Sequence, residues 1–168
     1  MTRFEELFLP HLNAAYNLAR WLTDNDSAAQ DVVQESAFRA VKFLHRFDGG
    51  NPKAWFLTIV RNESYNWLKA SARQGAVAFD ETWGEDEPAL ADGCNPEWQL
   101  IQGQEAAQLQ QALQALAPVF REVIVLKELE DMPYKDIAKI VDIPLGTVMS
   151  RLARARSMLR LQLQKSRP

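Results

Sequence analysis

Residues 134–160, YKDIAKIVDIPLGTVMSRLARARSMLR, predict the fold of the second half of the chain. Apolar residues recur at helical spacing on both sides of an interruption at residues 142–144, where Pro144 disfavours helical backbone at the residue before it. The buried stripe of the second segment is expected to contain Val148, Leu152, Ala155 and Leu159. The pattern therefore predicts two helices joined by a short turn, a helix-turn-helix.

The second of these helices carries a polar and basic face. We expect Thr147, Ser150, Arg151 and Arg154 to point outward, with Met149 and Ala153 beside them. The second helix of a helix-turn-helix enters the major groove of DNA, where arginine can bind guanine through two hydrogen bonds. From residue 147 onward there are six basic residues and no acidic one, which favours contact with phosphates. We predict binding to duplex DNA; the alternative is a solvated basic face on an ordinary helix pair.

Length and composition limit the class of protein. A chain of 168 residues that is 47% hydrophobic suits one compact domain or two small ones. No apolar run approaches the length of a membrane span. Arg3, Glu5 and Glu6 stand where a signal peptide would require apolar residues. The cytoplasm is therefore the expected location.

The residues that usually carry catalysis or bind metals are few. Cys94 is a single cysteine, and His11 and His45 do not stand at metal-ligand spacing from it. The chain has no GxxxxGK or GxGxxG loop that could bind phosphates. We therefore expect no cofactor, no metal site and no enzymatic activity.

The acidic residues are concentrated in the middle of the chain, although the formal net charge is −3. Residues 76–99 hold seven acidic and no basic side chains, whereas residues 100–168 hold ten basic and seven acidic ones. The low overall charge therefore does not argue against binding to nucleic acid. The acidic segment could shield the basic surfaces from non-specific DNA, or it could simply be solvated.

The sequence of residues 1–73 predicts three helices. Residues 4–21 form the first, and residues 28–47 form the second, with Asp26 and Ser27 as candidate caps. The inner stripe of the second helix is expected to contain Val32, Val33, Ala37, Ala40, Val41 and Leu44. Two glycines and a proline break the chain at residues 47–52 before the third helix, residues 53–72.

The third helix combines aromatic, basic and amide side chains. Its members of this kind are Trp55, Phe56, Arg61, Asn62, Tyr65, Asn66, Trp67, Lys69 and Arg73. Such a set can stack on and hydrogen-bond unpaired bases, at roughly 1 to 3 kcal/mol per stacked base. The alternative, which we favour for Trp55, Phe56, Ile59 and Val60, is that the aromatic and apolar residues form the core of a small bundle.

The remaining segments complete an all-α fold. Residues 74–96 show no sustained apolar period and predict a linker. Asn95 is expected to cap a helix that starts near Glu97 and stops at Pro118. Residues 120–129 predict another helix. The chain is thus expected to contain two small helical domains joined by a flexible acidic linker. Their expected bounds are residues 1–73, 74–95 and 96–168.

The sequence resembles the sigma factors of bacterial RNA polymerase, specifically the small extracytoplasmic-function (ECF) group. Residues 27–44 and 47–69 resemble the second conserved region of that family, and residues 116–160 resemble the fourth. The resemblance implies a transcription initiation factor whose partners are core RNA polymerase, promoter DNA and an anti-sigma factor. Pro133 departs from the family, which usually has a serine or threonine cap at this position.

The resemblance also implies roles for individual residues. Asp31, Gln34 and Glu35 would bind the polymerase clamp. The loop 47–52 would capture a flipped base of the minus-ten element together with the helix that follows it, and the residues implied are Phe47, Asp48, Trp55, Arg61, Asn62 and Asn66. Thr147, Met149, Ser150, Arg151, Arg154 and Arg156 would contact the minus-thirty-five element, Arg156 through phosphate.

Two other classes of protein compete with this interpretation. A sigma mimic that occupies an anti-sigma factor would have little use for Arg151, Arg154 and Arg156. A dimeric helix-turn-helix repressor would not need the aromatic and asparagine helix or the face formed by residues 31–35.

Overall fold

The computed structural model describes residues 2–73 and 104–165, and every regular element within these two segments is helical. The first segment contains α1 (Arg3–Phe8), α2 (Leu12–Thr23), α3 (Asp26–Lys42) and α4 (Pro52–Arg73). The second contains α5 (Gln104–Gln114), α6 (Pro118–Ile124), α7 (Tyr134–Val141) and α8 (Leu145–Lys165). The prediction of an all-α fold is confirmed. The predicted linker, the helix start near Glu97 and Cys94 lie outside the described residues.

The predicted single helix over residues 4–21 is wrong, because the structure divides it into two. A 3-10 turn, Leu9–His11, separates α1 from α2. Pro10 lies in this turn, and proline removes a backbone donor and collides with the preceding turn of an α-helix. The interruption allows Phe8 at the end of α1 to be fully buried.

The predicted bounds of α3, residues 28–47, are wrong, because the helix begins at Asp26 and ends at Lys42. Asn25 is the cap, and its side-chain oxygen accepts a hydrogen bond from the Ala28 amide at 2.9 Å. The predicted inner stripe is wrong at Val41, which is 55% exposed. Ala40 is buried as predicted, Ala29 and Ser36 are buried as well, and these small side chains let α2 and α4 approach α3 closely.

Aromatic rings fill one end of the first segment. The Phe8 ring stacks on Trp55 at 5.2 Å between centroids and lies 5.5 Å from Phe56. Phe56 and Val60 are fully buried, whereas Trp55 is partly exposed. The core interpretation of the α4 aromatics is therefore confirmed for Phe56, and Trp55 contributes to both core and surface.

The second segment contains the predicted helix-turn-helix. Asp142 ends α7 in the left-handed region, at φ 57°, and the Ile143 amide donates to the Ala138 carbonyl at 3.1 Å. The predicted stripe of α8 is confirmed, since Val148, Leu152, Ala155 and Leu159 are all buried. Before this pair, α6 continues into a π-helical segment, Val125–Leu129.

The two segments pack against each other. Helix α4 contacts α7, helix α2 contacts α6, and buried apolar residues from both segments form one continuous cluster. This packing brings polar groups of the first segment, here called the first half, against acidic groups of the second segment, here called the second half.

Candidate functional site

The exposed face of α8 contains part of the predicted DNA-reading set. Met149 is 53% exposed at the start of the helix, and Thr147 and Ser150 are partly exposed. The Ser150 hydroxyl donates to the Thr147 carbonyl at 3.2 Å. The short side chains of Thr147 and Ser150 leave room for close approach of a ligand to the first turns of α8.

The prediction that Arg151 points outward is wrong. Arg151 is 5% exposed, and its charge acts on the buried Glu122 carboxyl. Arg154 lies about one helical turn after Arg151 and is partly exposed. Its guanidinium lies 5.3 Å from the centroid of the Phe120 ring. Contact between α6 and α8 thus draws the basic side chains inward along one edge of the helix.

Arg156 is held by a glutamate of its own half. Its Nε donates to the Glu128 carboxylate at 3.0 Å, and an Nη of Arg156 donates to the same oxygen. The two side chains retain 18% and 24% of their exposure. Glu128 therefore orients Arg156 at the flank of α8 while leaving it within reach of solvent.

The first half contains a cavity of about 290 Å³ on the side of α4 that faces α3. It is lined by Arg39, Phe43, Arg46, Trp55, Thr58, Ile59, Asn62 and Glu63. The Arg46 guanidinium lies over the Phe43 ring at 4.6 Å. The Arg39 guanidinium is paired with Glu63 at 2.8 Å. Arg46, aromatic faces and an amide thus surround one space, and such groups can stack on and hydrogen-bond an unpaired base.

The two predicted asparagines of α4 differ in placement. Both are exposed, but Asn62 lines this cavity and Asn66 is not among the residues around it. The structure therefore brings Asn62 and Trp55 together and leaves Asn66 about one turn away along the helix.

The loop at residues 47–52 is anchored at its first residue. Phe47 is 8% exposed and packs edge-on against Phe8 at 5.9 Å. Asp48 accepts a hydrogen bond from the Gly50 amide at 3.0 Å, and Gly49 adopts φ 86°, where glycine is favoured. The loop is thus a defined turn in which Phe47 is an anchor and Asp48 lies at the surface.

Arg61, the remaining predicted minus-ten residue, forms an ion pair with the other half. Its Nε and Nη2 donate to the two carboxylate oxygens of Glu122 at 2.9 and 3.2 Å. Glu122 is fully buried and the Arg61 side chain is 19% exposed. The guanidinium also lies over the Tyr65 ring at 4.0 Å.

Burial governs the ionisation of this cluster. Desolvation raises the pKa of the Glu122 carboxyl, and the charge and hydrogen bonds of Arg61 oppose that rise. Burial alone would lower the pKa of Arg61, but the Glu122 charge outweighs it and the pKa is raised. Desolvation and the Glu122 charge raise the pKa of the Tyr65 hydroxyl. Arg61 therefore stays charged, and its charge depends on Glu122 for compensation.

The predicted polymerase-binding residues share a surface of α3. Asp31, Gln34 and Glu35 are all exposed, and Glu35 lies 3.3 Å from Arg39. Sequence reasoning missed the apolar residues on the same helix, since Phe38 is 64% exposed beside Val41. The available signal was an excess of large apolar residues over what one buried stripe of α3 can hold.

The polar contacts between the halves were also missed. They involve Trp21, Asn51, Lys53 and Arg61 in the first half and Arg121, Glu122, Glu130 and Asp136 in the second. A signal was present at Arg121 and Glu122, two charged residues inside the apolar run 118–126. Charged residues are rarely fully buried unless they are paired.

Residues 2–73 and 104–165 contain neither a candidate membrane-spanning helix nor a candidate metal-binding group. None of the helices there combines the length and the apolar character needed to cross a membrane. Nor do these residues contain a group of three or more His, Cys, Asp or Glu side chains that could hold a metal ion.

Comparison with known proteins identifies both halves. The family Sigma-70 region 2 matches residues 7–74, and the family Sigma-70, region 4 matches residues 106–159. The ECF RNA polymerase sigma factor SigE of Mycolicibacterium smegmatis is 30% identical over 165 residues, which are 98% of this chain and 63% of that relative. The chain thus spans less than two thirds of the length of that relative.

Two further relatives are covered over most of their length. The RNA polymerase sigma-H factor of Pseudomonas aeruginosa is 31% identical over 166 residues, 96% of this chain and 86% of the relative. The ECF RNA polymerase sigma-E factor of Haemophilus influenzae is 32% identical over 152 residues, 88% of this chain and 79% of the relative.

Solved structures share the fold. The sigma factor RpoE, in complex with the anti-sigma factor NepR from Bartonella quintana, superposes with a TM-score of 0.74 at 28% identity, covering 99% of this chain and 100% of that chain. CnrH, in complex with the cytosolic domain of CnrY, has a TM-score of 0.67 at 23% identity, covering 98% of this chain and 89% of that chain, and shows likeness of fold alone. The predicted resemblance is confirmed: the chain belongs to the ECF family of RNA polymerase sigma factors.

Proposed function

We propose that this chain binds core RNA polymerase and directs it to promoters, opens the DNA strands and so permits transcription to start. The observation that carries this proposal is the presence of two sigma-70 regions in one chain, one with a basic and aromatic cavity and one with a basic helix-turn-helix. The proposed domains are residues 1–73 and 96–168, with residues 74–95 as the linker. The protein itself catalyses no reaction, and it acts in the cytoplasm, where the polymerase is.

The first domain binds the opened minus-ten element. The cavity beside Asn62 and Trp55 receives a base that has left the stack, and its exit costs a few kcal/mol that contacts in the cavity must offset. Phe47 and Asp48 belong to the loop before α4 and line a neighbouring cavity that shares Trp55 and Thr58 with this one. Arg61 and Asn66 lie along α4, where the backbone of the separated strand would pass. Arg46 lines the cavity and supports the same assignment, whereas the Arg39 guanidinium there is paired with Glu63 at 2.8 Å.

The second domain reads the minus-thirty-five element with α8. Thr147, Met149 and Ser150 lie at the start of the helix, where base edges are reached. Arg154 is the residue that we assign to base contact, and Arg156, held by Glu128, contacts phosphate. Arg151 is buried in the described structure, so a contact from it to DNA requires its side chain to move.

Two weak contacts on one chain produce tight binding. Once one domain is bound, the second binding event is intramolecular, and its effective concentration depends on the segment that joins the domains. Simultaneous use of both elements is therefore required for strong promoter binding.

The exposed face of α3 binds the polymerase clamp through Asp31, Gln34 and Glu35. The exposed side chains of Phe38 and Val41 favour a protein partner there.

We expect Glu35→Lys to weaken association with core polymerase, because it reverses one charge of this face. Competition against the labelled wild-type protein measures the effect. Lys69→Glu, an exposed charge reversal on α4, is the control; equal affinity of Glu35→Lys and the wild type for core would remove α3 from the assignment.

An anti-sigma factor is the third proposed partner. The structural relatives RpoE and CnrH were solved in complex with NepR and with the cytosolic domain of CnrY. The likeness of fold supports a protein inhibitor of the same kind for this chain.

The proposed function is tested by transcription from a promoter library. Core polymerase with and without this protein transcribes templates whose upstream 50 or so positions are random, about five helical turns of DNA, and the starts are sequenced. We expect starts that depend on the protein and share two separated motifs. A protein that binds core but yields no start at any template would contradict the proposal and favour a sigma mimic.

A further inference from the structure

The start of α8 presents an apolar surface to solvent. Met149 is 53% exposed, and Leu145, the first residue of the helix, is 48% exposed. Residues four positions apart lie on the same side of a helix, and each side chain leans toward the start of the helix. Leu145 and Met149 therefore form one apolar patch over the first turns of α8.

The surface beside this patch is uncharged and open. None of residues 145–150 carries a charged side chain. Gly146 lies three residues before Met149, which makes the two residues neighbours on the helix surface. A Cβ atom at Gly146 would meet no other atom within 4 Å. A ligand can therefore come close to the backbone of α8 and contact the Met149 side chain at the same time.

The arginines of α8 lie beyond this patch. Arg151 is 5% exposed, the Arg154 guanidinium lies against the Phe120 ring, and Arg156 is bound to Glu128. All three follow Met149 in the helix. Contacts from the first turns of α8 to base edges must therefore come from uncharged side chains.

The charge around the patch favours DNA as its partner. Residues 145–168 include six basic residues and no acidic one. Specific protein–DNA interfaces are much more positively charged than interfaces between proteins. The apolar patch is thus continuous with a surface that attracts phosphates, and we expect duplex DNA to cover it.

Only one base presents an apolar group in the major groove. Thymine has its C5-methyl group there, whereas guanine, cytosine and adenine present hydrogen-bond donors and acceptors. A thioether packed against such polar groups would displace water without replacing its hydrogen bonds, which is unfavourable. The unbranched methionine side chain adapts readily to the shape of an apolar group. Met149 should therefore favour thymine over the other three bases.

We propose that Met149 is a specificity-determining residue, which selects a thymine in the minus-thirty-five element by packing against its methyl group. The inference rests on the proposed function, because it requires that α8 reads duplex promoter DNA. It adds the chemical group that the first turns of α8 recognise. Base reading at this end of the helix depends on burial of a methyl group, and reading by arginine begins at Arg154.

The test first removes the methyl group from the DNA. A promoter selected from the random library serves as the template, and each thymine of its upstream motif is replaced singly by deoxyuridine, which lacks only the C5-methyl group. The affinity of core polymerase with the full-length protein is measured for each template. We expect one replacement to weaken binding about fourfold, which corresponds to the roughly 0.8 kcal/mol of one buried methyl group.

The same templates are then measured with variants of the protein. Met149→Ala should bind the thymine template about fourfold more weakly and should no longer respond to deoxyuridine at that position, because the contact is already lost. Met149→Leu should keep the response, since leucine supplies an apolar side chain of similar volume. Leu161→Ala is the matched control: Leu161 is 57% exposed on the same helix, twelve residues after Met149, and its variant should respond as the wild type does.

The outcomes separate this inference from the proposed function. The inference is overturned if Met149→Ala keeps the wild-type response at every upstream thymine, or if the upstream motif contains no thymine, while the wild type still initiates at the promoter. Weaker binding of Met149→Ala to core polymerase without DNA would assign Met149 to a protein contact instead. A wild-type protein that selects no promoter from the library would defeat the proposed function, and this inference with it.

Discussion

Arg61 and Arg156 each bind a glutamate through two donors, but the glutamates belong to different parts of the molecule. Glu122 lies in the opposite half from Arg61 and is fully buried, whereas Glu128 lies in the same half as Arg156 and keeps 24% of its side-chain exposure. The two ion pairs therefore have similar hydrogen bonds but respond differently when the halves separate. Separation of the halves frees Arg61, while Arg156 remains oriented by Glu128.

The largest expected difference between the two pairs is in stability. Glu122→Ala should lower the free energy of unfolding by about 3 to 5 kcal/mol, because it leaves Arg61 charged and buried. Glu128→Ala should cost about 1 kcal/mol or less, because its pair is partly solvated. Urea denaturation followed by circular dichroism measures both. Equal losses would mean that the location of the pair does not matter.

The next prediction concerns base reading by α8. Arg154→Ala should weaken use of particular upstream sequences by about 1 to 3 kcal/mol for each lost base contact. Lys165→Ala, at the exposed end of the helix, should weaken binding evenly across sequences, because a phosphate contact carries no sequence information. Affinity for a panel of duplexes with single base-pair changes distinguishes them. A uniform loss for Arg154→Ala would contradict base reading.

A smaller effect separates the two asparagines of α4. Asn62→Ala should slow strand opening by about fivefold, equivalent to the roughly 1 kcal/mol of one hydrogen bond, because Asn62 lines the cavity. Asn66→Ala should have less effect, and neither change should alter duplex binding by α8. Fluorescence of a base analogue in the minus-ten strand reports opening. The reverse order of the two variants would place the flipped base elsewhere.

The smallest expected effect is a dependence of the stability of the first half on pH. Burial, assisted by the Lys53 charge, lowers the pKa of His11 below 6.5. As the pH falls, the unfolded chain therefore binds a proton at His11 at a higher pH than the folded chain does. The contribution of His11 to the free energy of unfolding is thus fully present above pH 6.5 and declines as the pH falls below that value. Urea midpoints about one unit above and below that value measure the decline. His11→Gln should remove this contribution, and an unchanged pH profile in the variant would exclude His11 as its source.

Local sequence patterns predicted the elements better than the contacts between them. The stripe from Val148 to Leu159 and the break before Pro144 follow from neighbouring residues alone, and both are confirmed. Pro10 was also visible in the sequence, but the apolar period across it suggested a continuous helix. The exposure of Val41 depends on the small residues of α3 that α2 and α4 pack against, which periodicity does not reveal.

The charged residues were harder to place because their partners are distant in sequence. Arg61 and Glu122 are 61 residues apart, and Asn51 and Asp136 are 85 apart. Arg151 was expected outside from its position on the helical wheel, yet it is buried near Glu122. Such pairings are set by how the halves dock, and amphipathic periods contain no information about docking.

The central claim is that the two halves, which pack together in the free protein, bind the two promoter elements at once and therefore separate on the promoter. Fluorescent dyes at Gln30→Cys and Gln111→Cys, exposed residues of the two halves, report the distance between them when Cys94→Ser removes the native thiol. Energy transfer is measured on the free protein and on the same protein bound to core polymerase and promoter DNA. We predict high transfer in the free protein and a loss of transfer in the complex. The same transfer in both states would contradict the account.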